Sequence, residues 1–208
     1  MSFQSHFIQP NIEIFFGDKH HNHNFSSNSC RLKQVHSSLV VSASNDKTFE
    51  ADAHFTQEPG LELCILTADC MPIMMTDGTT VAAVHAGWKG LFTGILTNVI
   101  KTCFSKPEKA AAFIGPHIHQ ESFEFGKDTL NEYQIYKPIQ ECPNAIKDSA
   151  PGKVLIDLKA LAEYELRSHG INTINALNVD TFKSDHHHSY RRDRENSGRN
   201  LSWIKISH

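Results

Sequence analysis

Apolar and polar positions along the chain sort into a few well-marked segments. Ile12 to Phe16 reads as a strand closed by Gly17-Asp18, and a polar loop follows. Arg31 to Ser42 (RLKQVHSSLVVS) alternates well enough for two strands around a turn near Ser37-Ser38. The strongest pattern is LELCILTADCMPIMMTDGTTVAAVHAGWKG. Its two apolar runs, separated by Asp77-Gly78-Thr79-Thr80, predict a β-hairpin. Pro72 has no N–H for a ladder, so the first run is expected at a sheet edge or bulged there. Beyond Gly87, Lys89 to Cys103 carries apolar residues at helical spacing, giving strand, glycine turn, helix. AAAFIGPHIH is a short strand ended by Gly115-Pro116, and ESFEFGKDTLNEYQIYKP continues as helix or loop. Val154 to Gly170 predicts an amphipathic helix with Gly170 as its stop, INTINALNVDTF a strand region, and the last apolar alternation a closing strand. Strands and helices in no strict βαβ rhythm point to α/β layers with a mixed or antiparallel sheet.

Composition narrows the class of protein. The 208 residues suffice for one large domain, expected to span 1–208, and at that length roughly 70% of the extended surface can be buried without staples. A net charge of −3 with no basic stripe argues against nucleic acid as a partner. No apolar run approaches the ~18 residues that span a bilayer, so no membrane partner is expected. The five cysteines are odd in number and widely spaced, which favours a reducing compartment over a disulfide framework. With no signal peptide pattern at Met1 onward, the expected location is cytoplasmic. The fourteen histidines are unusual. The cluster His20-His21-Asn22-His23 reads as exposed loop, although such clusters also bind metal adventitiously; His186-His187-His188 leads straight into SYRRD and is harder to dismiss.

The hairpin carries the first chemical hint. If Thr76 faces Val81, position 72 faces 85 and 70 faces 87, so Cys70 and His85 come within a residue or two of being cross-strand neighbours. Strands about 4.8 Å apart let both side chains reach one ion. Cys64, on the same predicted strand as Cys70, lies about 20 Å along it and cannot share that ion. Asp69 beside Cys70 is an odd choice for plain core, because a buried carboxylate must be paired.

The motifs KQVHS (Lys33 to Ser37), TADCMP (Thr67 to Pro72), HAGWKG (His85 to Gly90), IGPHI (Ile114 to Ile118) and SYRRD…SGR (Ser189 to Arg199) occur in that order. Together they resemble the signature of the YfiH-like family, also called laccase-domain or polyphenol oxidase proteins, over about Arg31 to Ile206. The resemblance implies a four-layer α/β/β/α sandwich with mixed sheets. It also implies a zinc site made by His36 of KQVHS, Cys70 of TADC and His85 of HAGW, with copper as the alternative metal. The implied activity is phosphorolysis of purine nucleosides (adenosine, inosine, guanosine or methylthioadenosine with phosphate), together with adenosine deamination. Three departures stand out: His117 replaces the family's usual cysteine after IGP, a cysteine often found before SYRR is absent near Asn178-Val179-Asp180, and Arg194 follows RRD where glycine is usual.

Three protein ligands leave a fourth position open on zinc, the arrangement of catalytic sites. Asp69 is the candidate proton carrier, with a supporting role orienting a ligand histidine as the alternative. Phosphate requires cationic donors, expected from Lys33, Arg191 and Arg192, the arginines through bidentate bonds. Trp88 is core or a purine-stacking face, and His117 a proton shuttle, an extra ligand or a surface residue. Competing readings are a copper-dependent phenol oxidase, a thiol hydrolase with Cys70 as nucleophile and His85 as base, and a zinc-stabilised binding module.

Overall fold

The computed structural model describes residues 3–4, 11–21, 25–44, 48–133 and 135–207. Part of the first histidine cluster, Asn22 and His23, lies outside them. Two sheets dominate. The five-stranded one runs Phe3–Gln4, Ile12–Phe16, Asn200–Ile206, Glu62–Thr67, Ser29–Cys30 in spatial order. The six-stranded one runs Thr173–Ala176, Ala111–Ile114, Met71–Thr76, Val81–Ala86, Ala53–Thr56, Val40–Ser42. Both mix parallel and antiparallel pairs, so the fold is the mixed α/β type expected.

The sheets stack through a core of Ile12, Ile14, Leu63, Ile65 and Ile204 from one and Met74, Val81, Ala83 and Phe113 from the other. The opposite face of the six-stranded sheet (Met71, Ile73, Met75, Ala82, Val84) is covered by helices Ile95–Cys103 and Leu158–Ser168. Its central strands are therefore buried on both faces, and this is why they read as unbroken apolar runs rather than alternation. Among the described residues no helix is long and apolar enough to cross a membrane.

The hairpin register is the predicted one: Val81 pairs with Thr76 and His85 with Pro72. The Asp77 carboxylate closes the turn by accepting from the Thr79 and Thr80 amides at 3.0 and 2.8 Å. Other expectations need correction. The first apolar run is not one strand. It bends at residues 68–70, so Glu62–Thr67 belongs to one sheet and Met71–Thr76 to the other. Cys64 and Cys70 consequently lie in different layers, and the Cys64 thiol is buried against Glu62. Pro72 sits in a central strand, neither at an edge nor in a bulge. Its C=O accepts from Gly115 N–H at 2.9 Å just past the end of strand Ala111–Ile114, so the bond forgone for want of an N–H is the reciprocal one at that terminal position.

The strands in Arg31–Ser42 do not pair with each other. Leu32–Lys33 pairs with Phe49–Glu50, and Val40–Ser42 with Ala53–Thr56. The helix after Gly87 is broken into Trp88–Phe92 and Ile95–Cys103 by Gly94 at φ 87°. Of Val154 to Gly170, the first turn is in fact strand Lys153–Ile156. Asp157 then caps helix Leu158–Ser168 by accepting from Ala160 N, and Gly170 at φ 93° follows its end.

Candidate active site

Among the described residues only three non-glycine residues have left-handed backbone: His36 (φ 58°), Asp69 (φ 81°) and Arg194 (φ 51°). Such conformations cost about 1–3 kcal/mol each and persist where surrounding structure imposes them, commonly at functional sites. All three line one cleft of about 670 Å³. Its walls include Gln34, Cys70, His85, Arg191 and Arg199, with Trp88, Phe123 and Tyr190 as aromatic surface.

His36, Cys70 and His85 meet in this cleft, their ligand atoms all within 4.8 Å of one another. His36 Nε2 lies 3.8 Å from Cys70 Sγ. Donors on a tetrahedral zinc, with bonds of about 2.1 and 2.3 Å, stand roughly 3.6 Å apart, so one sulfur and two imidazoles at this spacing suit a borderline transition cation. His36 leaves the turn between two short strands, Cys70 ends the bend between the two sheets, and His85 comes from the strand beside it. Gly87 lets the chain pass close by: a Cβ there would stand 3.0 Å from both Cys70 Sγ and His36 Cδ2. Gly87→Ala is therefore expected to displace both ligands and weaken metal binding by at least about tenfold, the lower end of the effect of disturbed ligand support, measured as zinc retained after dialysis against a competing chelator.

Asp52 organises the cluster. It is fully buried, and its carboxylate accepts from the backbone N–H of Val35, His36 and Ser37, from Ser37 Oγ, and from His85 Nδ1 at 2.8 Å. Three successive amides turned toward one carboxylate hold His36 in its left-handed conformation. The bond to Nδ1 fixes the His85 ring and leaves Nε2 for the cluster. Burial alone would raise the Asp52 pKa, but His85 and Ser37 outweigh it and hold it at about 2. Burial would likewise raise the Cys70 thiol, yet the charge of His85 and the bond to His36 bring it down to about 6. Burial disfavours the charged His85 ring, but the Cys70 thiolate and Asp52 raise its pKa to about 9. These opposite shifts favour an imidazolium–thiolate pair in the metal-free site at neutral pH. A cation entering at pH 7.5 must displace the His85 proton. Calorimetric titration in buffers of different ionisation enthalpy is expected to show about one proton released from this pair per ion, falling toward none above pH 9.

The other predicted residues divide. Asp69 lines the cleft, but its Oδ1 accepts from Thr181 Oγ1 at 2.7 Å and its Oδ2 from Arg191 N at 2.6 Å. It braces the segment that carries Arg191, and the acceptor that orients a cluster histidine is Asp52. Arg191 reaches the cleft, with one bond to Glu124 O at 2.9 Å and its guanidinium over Phe123. Lys33 does not: strand alternation turns it outward, where it pairs with Glu50 at 2.5 Å. Arg192 is also absent from the cleft wall. Its guanidinium gathers the carbonyls of Thr181, Phe182, Ser184 and His187 and pairs with Asp193, so its donors are committed to structure. His117 is buried with Nδ1 on Gly115 O, burial lowers its pKa to about 4, and it belongs to neither cluster nor surface. Trp88 is half-buried, packed edge-on to Phe92, Phe125 and Tyr133, and still forms part of the cleft.

Asp52, Arg194, Arg199 and Gly87 escaped sequence reasoning. The signal for Asp52 was present in ADAHFT: a carboxylate between alanines at the head of a buried strand needs a partner as much as Asp69 does.

Stacked mixed sheets with a His–Cys–His cluster between them define an α/β protein whose cleft carries a group able to hold a metal ion. The chain belongs to the family described as multi-copper polyphenol oxidoreductase laccase, whose model matches residues 11–207. A purine nucleoside phosphorylase of Haemophilus influenzae is 36% identical over 180 residues, 83% of this chain and 72% of that protein. The purine nucleoside phosphorylase YfiH of Escherichia coli is 31% identical over 186 residues, 87% of this chain and 75% of its own. In structure the chain is similar to Neisseria meningitidis protein NMB0706, with TM-score 0.88 and 28% identity, covering 100% of this chain and 99% of the other.

Proposed function

We propose that the chain is a metal-dependent purine nucleoside phosphorylase, with zinc held by His36, Cys70 and His85, and that it also deaminates adenosine. The observation that carries this reading is the shared cleft: the three-donor cluster, the arginines 191, 194 and 199, and the aromatic surface of Trp88, Phe123 and Tyr190 all face one space. The names of the relatives support the substrate class.

Phosphorolysis breaks the glycosidic bond with positive charge growing on the ribose. Arg191, with Arg194 and Arg199 beside it, would bind phosphate through charge-assisted bonds and hold its negative charge against that sugar. The aromatic wall would take the flat base and exclude water from it. Asp69, bonded to Arg191 N and Thr181, is a positioning residue for this anion site, and Asp52 is one for the cluster. When bound, zinc would supply Lewis-acid polarisation and the water activation that deamination of adenosine needs.

Two observations favour other readings enough to shape the test. The Cys–His₂ donor set also suits copper, in keeping with the family's description. In metal-free protein, Cys70, His85 and Asp52 have the order of a thiol, base and orienting carboxylate.

Metal-quantified protein incubated with inosine or adenosine, with and without phosphate, tests the proposal. Free base with ribose 1-phosphate, formed only with phosphate and lost in His85→Ala, is the expected result. Inosine formed from adenosine without phosphate would mark the deaminase activity. Zinc-loaded protein that turns over no purine nucleoside would remove the proposal and leave the phenol oxidase and thiol readings to be separated by substrate.

A further inference from the structure

The fold joins the two histidine clusters that the cleft does not use. His20 Nε2 and His186 Nδ1, 166 positions apart in sequence, face each other at 3.5 Å. Their rings are tilted by 59° with centroids 5.7 Å apart, so they do not stack. As a hydrogen bond the separation is long, since N–H donors prefer about 2.7–3.2 Å. As the spacing of two imidazole nitrogens on one ion it fits: bonds of about 2.1 Å at a tetrahedral angle place such donors roughly 3.4 Å apart.

Both histidines are carried on pinned backbone. Asp18 is buried, and its Oδ1 accepts from His20 N at 2.9 Å and pairs with His21 Nδ1 at 2.9 Å. Lys19 N donates to His186 O at 3.0 Å, tying one segment to the other. On the far side, Arg192 collects the carbonyls of residues 181, 182, 184 and 187, and Ser184 Oγ accepts from His186 N at 3.3 Å. The neighbouring rings are engaged elsewhere, His21 on Asp18 and His187 on Ser184 Oγ at 2.9 Å. Among the described residues of this group His20 and His186 are the two exposed rings, and neither lines the cleft.

We propose that His20 and His186 form a second metal site on the surface, taking a borderline divalent transition cation with solvent in its remaining positions. Imidazole donors suit Cu²⁺, Ni²⁺ and Zn²⁺, and Cu²⁺ binds such a pair most tightly. With two protein donors against three, and no thiolate, this site fills after the His36–Cys70–His85 cluster.

The test is equilibrium dialysis of untagged protein against Cu²⁺ alone and Zn²⁺ alone, with metal and protein quantified together. Parent protein is expected to take up two equivalents of Cu²⁺ in separable steps. His20→Ala and His186→Ala should each lose the weaker equivalent and keep the tighter one, while Cys70→Ala keeps the weaker one. The weaker Cu²⁺ should show splitting from two imidazole nitrogens in its paramagnetic resonance spectrum. Both changed side chains are solvent-exposed, and circular dichroism checks that the fold is kept. Uptake of a single equivalent by the parent, or a second equivalent retained in either histidine variant, overturns the proposal. Because these residues lie outside the cleft, that failure would leave the nucleoside reading untouched.

Discussion

Asp52→Ala is expected to strip the metal centre and destabilise the protein by about 3–5 kcal/mol, the range for removing one partner of a buried charged pair. The carboxylate is fully buried and holds two histidines of the cluster at once, His36 by its amide and His85 by its ring. Its loss leaves the amides of Val35, His36 and Ser37 without their acceptor, frees the left-handed turn at His36, and releases the His85 ring. Zinc affinity should fall by at least about 10–100-fold, the usual consequence of losing an orienting partner. Asp52→Asn keeps the volume and one acceptor oxygen, and should retain more stability than metal affinity. The pH dependence follows from the direction of the shift. The Asp52 pKa is about 2 in the folded chain against 3.8 for an ordinary aspartate. Its stabilisation is present above pH 4 and is lost as pH falls through 2. Urea denaturation of the metal-free variants beside the parent, with metal analysis, measures both effects. Unchanged midpoint and full zinc in Asp52→Ala would contradict the role assigned to it.

Arg191→Ala should raise KM for phosphate by roughly 10–100-fold with zinc content unchanged, because a hydrogen bond to a charged group is worth about 1.5–3 kcal/mol. Lys33→Ala should leave KM unchanged, since that side chain faces solvent and pairs with Glu50. Arg192→Ala should act on stability, leaving the carbonyls of residues 181, 182, 184 and 187 without their shared donor. Steady-state kinetics with phosphate varied at fixed inosine, together with thermal melts, separates the three. An equal rise in KM for Lys33→Ala and Arg191→Ala would show that the arginine's place in the cleft is not what binds the anion.

The parts of the site legible in the sequence were those fixed by local rules. The turn Asp77–Thr80 sets the hairpin register, and the register sets His85 opposite Pro72. The three donors His36, Cys70 and His85 were named by motif resemblance, and the fold brings them within 4.8 Å of one another. What local rules missed depends on contacts distant in sequence. Asp52 acquires its role only when strand Ala53–Thr56 pairs beside His85 and the His36 turn folds over it. Lys33 and Arg192 looked like anion donors by charge alone. Strand alternation turns the first outward, and a ring of carbonyls engages the second. The apolar run around residue 68 concealed a crossing between sheets, because burial on both faces erases the alternation that would have marked two strands. The sequence signal for the break was Asp69, a carboxylate within an apolar run, and the structure places it in left-handed backbone at the bend.

The most direct measurement is to remove the metal, verify the fold by circular dichroism, and restore zinc stepwise while following phosphate-dependent release of base from inosine. Activity absent in the metal-free, folded protein and rising linearly to a plateau at one equivalent, with no such recovery in Cys70→Ala, is the expected result. Full turnover by the metal-free protein would contradict a metal centre at His36, Cys70 and His85 as the seat of the reaction.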